Sequence, residues 1–354
     1  MAVALLVLQG AAAPRPQAAV PARPPEARVS YLIGRNDVEE LRRVVGDQVA
    51  QRHRLGLSTV FGVEDDRLAT IAQRDEGGRG VQHLTIFDLK TGSIVSERNV
   101  EPRLLTWMSG PERVVLPRPR EEAVYFVTLE VEGDSVHSAL ARLDLKKGAV
   151  TKFRIPDEVS NARPFDVGDM VGVYSWNHGA IAVLKDGGLK VIAPAGGTAR
   201  SVVAPAVVSS VLGLPGVGVV RVALSGKAEV FDPGKAAPSP PRALTFDTPV
   251  AEPQAATFEG KPVLVYGEAQ RGAMRKTVIS SLVIYDPVAG KPLWKKKLPW
   301  LARTFTVSPD ASLFRLIPLT ALQLTYYDRK SDSFTKSVSF RPREVENVVI
   351  VPSG

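Results

Sequence analysis

One phrase recurs along this chain and limits what it can fold into: an alternating apolar strand, an Asp, a Gly four residues later, and a second strand. It reads Leu84-Thr-Ile-Phe-Asp88-Leu-Lys-Thr-Gly92-Ser-Ile-Val, then Ala139-Leu-Ala-Arg-Leu-Asp144-Leu-Lys-Lys-Gly148-Ala-Val, then Ser281-Leu-Val-Ile-Tyr-Asp286-Pro-Val-Ala-Gly290. A looser copy ends the series at Gln323-Leu-Thr-Tyr-Tyr-Asp328-Arg-Lys-Ser-Asp332-Ser-Phe. Two degenerate copies, Ile181-Ala-Val-Leu-Lys-Asp186-Gly-Gly188 and Arg221-Val-Ala-Leu-Ser-Gly226, lie between the second and third. The Asp is placed to accept hydrogen bonds from turn N–H groups, and the Gly to supply the positive φ that closes the turn. The alternation before it fits a strand that buries one face.

Extending each hairpin backwards gives larger units. Ser58-Thr-Val-Phe-Gly, Arg67-Leu-Ala-Thr-Ile-Ala, His83-Leu-Thr-Ile-Phe-Asp and Ser93-Ile-Val-Ser form a four-stranded meander. The next unit holds Leu104-Leu-Thr-Trp, Arg113-Val-Val-Leu, a strand from Ala123, then Ser138 to Asp144 and Ala149 to Phe153. A third and a fourth are read at 163–194 and 201–232, with Pro233 to Pro241 as an inserted loop after them. A fifth lies at 255–297 and a sixth runs from Thr304 to Val338. Hairpin spacings are 56, 42, 40, 60 and 42 residues, against roughly 40–45 for a four-stranded propeller blade. Six units fill 57–339. The leftover strands, Val29 to Ile33 and Val345 to Val351, are expected to share a further unit, because pairing the two termini removes exposed edges. The fold class predicted is therefore all-β, a β-propeller of four-stranded blades with seven favoured and six or eight as alternatives. Val38-Glu-Glu-Leu-Arg-Arg-Val-Val45 is the one segment with helical spacing, and one or two helical turns are expected there.

Two details resemble the broad β-propeller superfamily of TolB-like, YVTN and quinoprotein-like repeats. Val307-Ser-Pro-Asp310-Ala311-Ser-Leu is similar to the Ser-Pro-Asp-Gly turn between first and second blade strands, with Ala in place of Gly. Tyr285-Asp286-Pro-Val-Ala-Gly290-Lys-Pro-Leu-Trp294 is similar to the quinoprotein repeat. That Trp occurs in a single repeat, so the resemblance implies a fold and no bound quinone.

Ala2-Val-Ala-Leu-Leu-Val-Leu8 followed by Gln9-Gly-Ala-Ala-Ala13 resembles the end of a secretory signal, although no Lys or Arg precedes the apolar run. Residues 1–13 are read as signal-like, the Pro- and Ala-rich 14–27 as a linker, and 28–354 as one propeller domain. Export to the periplasm or beyond is expected, with a cytoplasmic location as the alternative. No run approaches the ~20 apolar residues of a spanning helix, so a protein embedded in a membrane is not expected.

The chain of 354 residues carries a net charge of +8 and 44% hydrophobic residues, and it has no Cys. The absent thiols remove disulfides, cysteine nucleophiles and Cys-ligated metals. Its four histidines, His53, His83, His137 and His178, lack partners at metal-ligand spacing. His83 and His137 are expected on the sheet surface. No Gly-x-Ser-x-Gly elbow is present. Glu64-Asp-Asp66 and Asp166-Val-Gly-Asp169 lack calcium-loop spacing, and Gly213, Gly216 and Gly218 lack the Lys and helix of a phosphate loop. No cofactor or metal is predicted, and nucleic-acid binding has no signature.

The remaining signal is basic. Connections read as fourth-to-first-strand contain Arg98, Arg103, Arg200, Lys235, Arg242, Lys297, Trp300, Arg303, Arg341 and Arg343. Second-to-third-strand loops add Arg118, Arg120, Arg271 and Arg275, together with Trp176 and His178. In a propeller these loops share one face, which would suit an anionic partner. The candidate binding residues are Arg118, Arg120, Trp176, His178, Arg271, Arg275, Trp300 and Arg303. The expected function is a monomeric, non-catalytic scaffold binding a protein or an anionic surface polymer. The rival is a lactonase-like hydrolase or lyase with its site at the channel mouth.

Overall fold

The structure is a computed structural model. It describes residues 29–34, 40–55, 58–64, 67–104, 114–115, 123–132, 135–153, 170–176, 179–184, 189–192, 200–203, 208–214, 216–223, 227–232, 242–271, 277–341 and 348–351. These contain strands β1–β27 and no helix.

Among the described residues the strands fall into six sheets. One joins the two ends of the chain: β27 (Val348–Val351) pairs with β1 (Val29–Gly34), which continues to β2 (Glu40–Val45) and β3 (Gln48–Arg54). The second is the meander β4 (Ser58–Glu64), β5 (Arg67–Glu76), β6 (Arg79–Asp88) and β7 (Ile94–Asn99). To it β8 (Val114–Val115) adds in parallel along β4. The third comprises β9 (Ala123–Glu132), β10 (Ser135–Asp144) and β11 (Val150–Phe153). The fourth holds β12 (Met170–Trp176), β13 (Gly179–Leu184), β14 (Leu189–Ile192) and β15 (Arg200–Val203). The fifth holds β16 (Val208–Leu214), β17 (Gly218–Ala223), β18 (Ala228–Phe231) and β19 (Arg242–Leu244). The last has seven strands: β20 (Val250–Phe258), β21 (Lys261–Arg271), β22 (Thr277–Asp286), β23 (Lys291–Val307), β24 (Leu313–Pro318), β25 (Gln323–Asp328) and β26 (Ser333–Ser339).

The Asp-x-x-x-Gly turns form as the sequence predicts. Asp88 Oδ1 accepts the N–H groups of Lys90 and Thr91, both at 2.8 Å, and Asp286 Oδ1 accepts those of Val288 and Ala289 at 2.8 Å. Asp144 and Asp328 repeat the arrangement. In the first three copies the Gly N–H returns to the Asp carbonyl at 2.8 Å, with φ of 72°, 71° and 68° at Gly92, Gly148 and Gly290. The Ser-Pro-Asp turn closes through side chains. Asp310 Oδ1 accepts Ser308 Oγ at 2.6 Å and Ser312 Oγ at 2.7 Å, while Ala311 takes a φ of 53°.

Three expectations are corrected. The segment 38–45 is not helical where described, because β2 is a strand buried on both sides. Val44 packs with Leu313, Leu324 and Tyr326 of the C-terminal strands. Leu41 pairs with His53, whose ring meets Phe87 of the next sheet at 5.1 Å. Apolar residues at both parities imitate a helical period. The middle units are also displaced. Each gains a short fourth strand, β15 of four residues and β19 of three, so the units run 170–203 and 208–244. Residues 233–241 therefore lie inside a unit, between β18 and β19. Finally, Val114–Val115 joins the preceding sheet through the free edge of β4.

Buried side chains tie neighbouring sheets together. Ala69, Ile71 and Leu84 meet Ala141, Leu143 and Val150. Val220, Val222 and Leu244 meet Leu264, Tyr266 and Tyr285. The largest cluster joins Val265, Ile284 and Phe305 to Phe314 and Tyr327 within the seven-stranded sheet.

Candidate functional site

The hairpin order fixes which side chains share an end of each sheet. Second-to-third-strand and fourth-to-first-strand connections emerge together, opposite the Asp turns. Arg271 ends β21 opposite Thr277 at this end, but Trp176 does not belong to it: Trp176 ends β12, the first strand of its sheet, opposite Gly179 of β13, and so lies at the first-to-second-strand end with the Asp turns. Arg118, Arg120, His178 and Arg275 lie outside the described residues. Arg200 and Arg242 do not belong to this end. They open β15 and β19, the fourth strands, and so lie at the third-to-fourth-strand end. Arg242 donates accordingly to the carbonyls of Val288, at 3.0 Å, and Pro287 in the Asp286 turn. The basic face is less polarised than the sequence reading had it.

Trp300 and Arg303 are strand residues rather than loop residues. Along β23 the partner changes from β22 to β24 at a register jump between Ser281↔Lys297 and Ile279↔Ala302, with Ala302 also opposite Pro318. Trp300 meets Phe334 edge-on at 5.6 Å, and Arg303 Nη2 donates to the Leu319 carbonyl at 3.0 Å.

Three further side chains at this end had no signal in the sequence. Glu268 of β21 is 7% exposed; its Oε1 accepts Lys295 Nζ at 2.6 Å and Thr248 Oγ1 at 3.0 Å. Burial raises its pKa, but hydrogen bonds from Lys295, Ser281 and Thr248 outweigh this and hold it below the usual glutamate value. The neighbouring Tyr266 is pushed up, first by burial and then by the Glu268 charge. A carboxylate held ionised by several donors is a weak base and no acid near neutral pH. Its chemistry is to anchor the Lys295 ammonium.

The others, Glu252 and Gln254 of β20, bridge to β23. Glu252 Oε2 accepts Thr304 Oγ1 at 2.7 Å and Phe305 N–H at 3.0 Å. The Gln254 amide donates to the Phe305 carbonyl at 3.0 Å and accepts the Val307 N–H at 3.1 Å. That side chain substitutes for one rung of a β-ladder between two first strands that do not pair directly.

His83 sits inside β6, 8% exposed rather than on the sheet surface. Its Nε2 lies 2.9 Å from Glu76 Oε1 without hydrogen-bond alignment. Among the described residues no three His, Asp or Glu side chains converge as a metal site. No helix there is long and apolar enough to cross a membrane.

Neither a protein-family model nor a curated protein matches the chain. Solved structures do. A putative 6-phosphogluconolactonase from Bacteroides uniformis is similar at 13% identity and a TM-score of 0.48, over 92% of this chain and 97% of that one. The Cps50 (Swd1) beta-propeller domain of Myceliophteria thermophila is similar at 13% and 0.47, over 82% and 93%. The dihydro-heme d1 dehydrogenase NirN is similar at 13% and 0.46, over 90% and 76%. These similar structures carry differently named activities, and none is transferred to this chain.

Proposed function

We propose that the chain is an exported, non-catalytic β-propeller that acts as a scaffold, binding a protein or a surface polymer through one loop-rich face. In this reading the seven-stranded sheet is two blades sharing β23, and the six sheets make seven blades. β27 supplies the first strand of the blade completed by β1, β2 and β3. The ring so closed leaves no long free sheet edge at the termini.

The observation that carries the reading is where the polar side chains spend their hydrogen bonds. The turn aspartates bond turn amides, Glu268 bonds Lys295 and Thr248, and Glu252 and Gln254 bond the backbone of β23. These carboxylates and this amide, groups that acid–base or metal chemistry would use, are thus engaged in holding the fold.

The test is an assay of the full chain against lactones with and without divalent metal, beside capture from envelope extract. No turnover and a retained envelope partner are expected; metal-dependent turnover would overturn the reading. N-terminal sequencing of the mature protein checks export, where an intact Met1 in cytosol would contradict it.

A further inference from the structure

We propose that the β2–β3 hairpin carries a binding site for a tetrahedral oxyanion, the phosphate or sulfate group of a ligand. The proposal goes beyond the scaffold reading and does not depend on it. β2 and β3 pair antiparallel in the register Arg42↔Arg52 and Glu40↔Arg54, so these four side chains share one face of the hairpin. β3 is the last strand of its sheet, and exposure alternates along it, with Arg52 and Arg54 on the exposed side. The helical period over 38–45 hides this pairing in the sequence, because Arg42 and Arg52 meet only when both segments are strands.

Like charges directly opposite each other on a sheet are unfavourable. Here Arg42 faces Arg52, and the four side chains amount to three guanidinium groups and one carboxylate. Glu40 Oε2 accepts Arg42 Nε at 2.6 Å, while Oε1 lies 3.6 Å from Arg52 Nη1. Arg42 and Glu40 are 20% and 22% exposed, whereas Arg52 is 56% exposed. A charge that only blocks edge pairing is needed on β3 alone. The arginine facing it from β2 is not explained that way.

Arg52 and Arg54 stand two residues apart on the edge strand, about 6.6 Å along it, and each presents a planar fork of N–H donors. A carboxylate, with two oxygens, satisfies one such fork. A phosphate or sulfate directs oxygens to four corners and accepts from two forks at once.

The full-length protein is titrated at low ionic strength with inorganic phosphate, inorganic sulfate and acetate, followed by the arginine Nε–H NMR signals and by calorimetry. Phosphate and sulfate are expected to bind with a Kd of about 1 mM, and acetate at least about tenfold more weakly. Arg52→Ala and Arg54→Ala should each weaken phosphate binding roughly fivefold, one exposed charged contact. Arg52→Lys and Arg54→Lys should recover part of this, keeping the charge without the fork. Glu40→Gln should tighten binding roughly twofold by removing the competing carboxylate, whereas a residue that merely held the hairpin together would not. Vesicles of phosphatidic acid in phosphatidylcholine separate the sources of the group. Retention that free phosphate competes away assigns it to a lipid; phosphate binding without retention assigns it to a soluble ligand. Circular dichroism and the thermal midpoint report whether each variant is folded. No binding of phosphate or sulfate, acetate binding equal to phosphate, unchanged binding by folded Arg52→Ala and Arg54→Ala, or no tightening by folded Glu40→Gln each overturns the proposal. None of these outcomes touches the scaffold reading, which falls only on lactone turnover.

Discussion

The repeated turn offers a controlled comparison, because Gly148 and Gly290 occupy the same motif position with nearly the same φ, 71° and 68°. An L side chain in that region costs roughly 1–2 kcal/mol. At Gly290 that cost stands alone, since the nearest atom to an added Cβ is Tyr285 Oη at 3.9 Å. At Gly148 the Cβ falls far inside normal contact distance of the Asn99 carbonyl oxygen and 3.3 Å from its carbon. Asn99 ends β7 of the preceding sheet, so the turn must move away from it. That movement strains the bonds from Glu101 N–H to Gly148 O, 3.1 Å, and from Val150 N–H to Glu101 O, 2.8 Å. Two weakened bonds of about 1 kcal/mol each bring Gly148→Ala to about 3–4 kcal/mol, against about 1–2 for Gly290→Ala. Urea unfolding followed by tryptophan fluorescence and far-UV circular dichroism measures both at a common m-value. A difference below about 0.5 kcal/mol would refute the claim that the first of these turns docks against its neighbouring sheet.

Gln254→Leu should cost about 2–4 kcal/mol, because it strands a carbonyl and an N–H of β23 at a 6% exposed position; faster hydrogen exchange at Val307 checks the site. Asp286→Ala removes the acceptor of two turn amides at 2.8 Å and should cost about 1–2 kcal/mol, with Asp286→Asn recovering part of it. Glu268 has a folded pKa below its ordinary 4.5. Its stabilisation is therefore present above pH 4.5 and lost as the pH falls through the lower, folded value. Glu268→Gln should accordingly be less stable than wild type near pH 7, with the gap shrinking in acid; a gap that widens in acid contradicts the assignment.

Local features were readable in the sequence and cross-sheet features were not. The Asp88, Asp144, Asp286 and Asp328 turns could be specified because donor and acceptor lie within four residues. The first meander was legible because its strands are long and separated by clear turns. β15 and β19 escaped because four and three residues carry no periodicity, and missing them moved Arg200 and Arg242 to the wrong end. β2 misled because burial against two sheets erases alternation. Glu252, Gln254 and Glu268 were invisible because their partners lie outside their own strands, most of them 20 or more residues away. Trp300 and Arg303 were read as loop residues, whereas they lie inside β23 beside a register jump, which sequence spacing does not reveal.

The central claim is that β27 pairs with β1, so that strands from the two ends of the chain share one sheet, and the register Leu32↔Ile350 allows it to be tested. The protein has no cysteine, so Leu32→Cys with Ile350→Cys introduces the only pair. Antiparallel neighbours lie about 4.5–5.5 Å apart at Cα, within disulfide reach. Oxidation of the purified double variant should give one intramolecular disulfide, faster migration on non-reducing gels, and a gain of up to about 5 kcal/mol on unfolding. Free thiols or intermolecular dimers under the same oxidation would contradict that pairing.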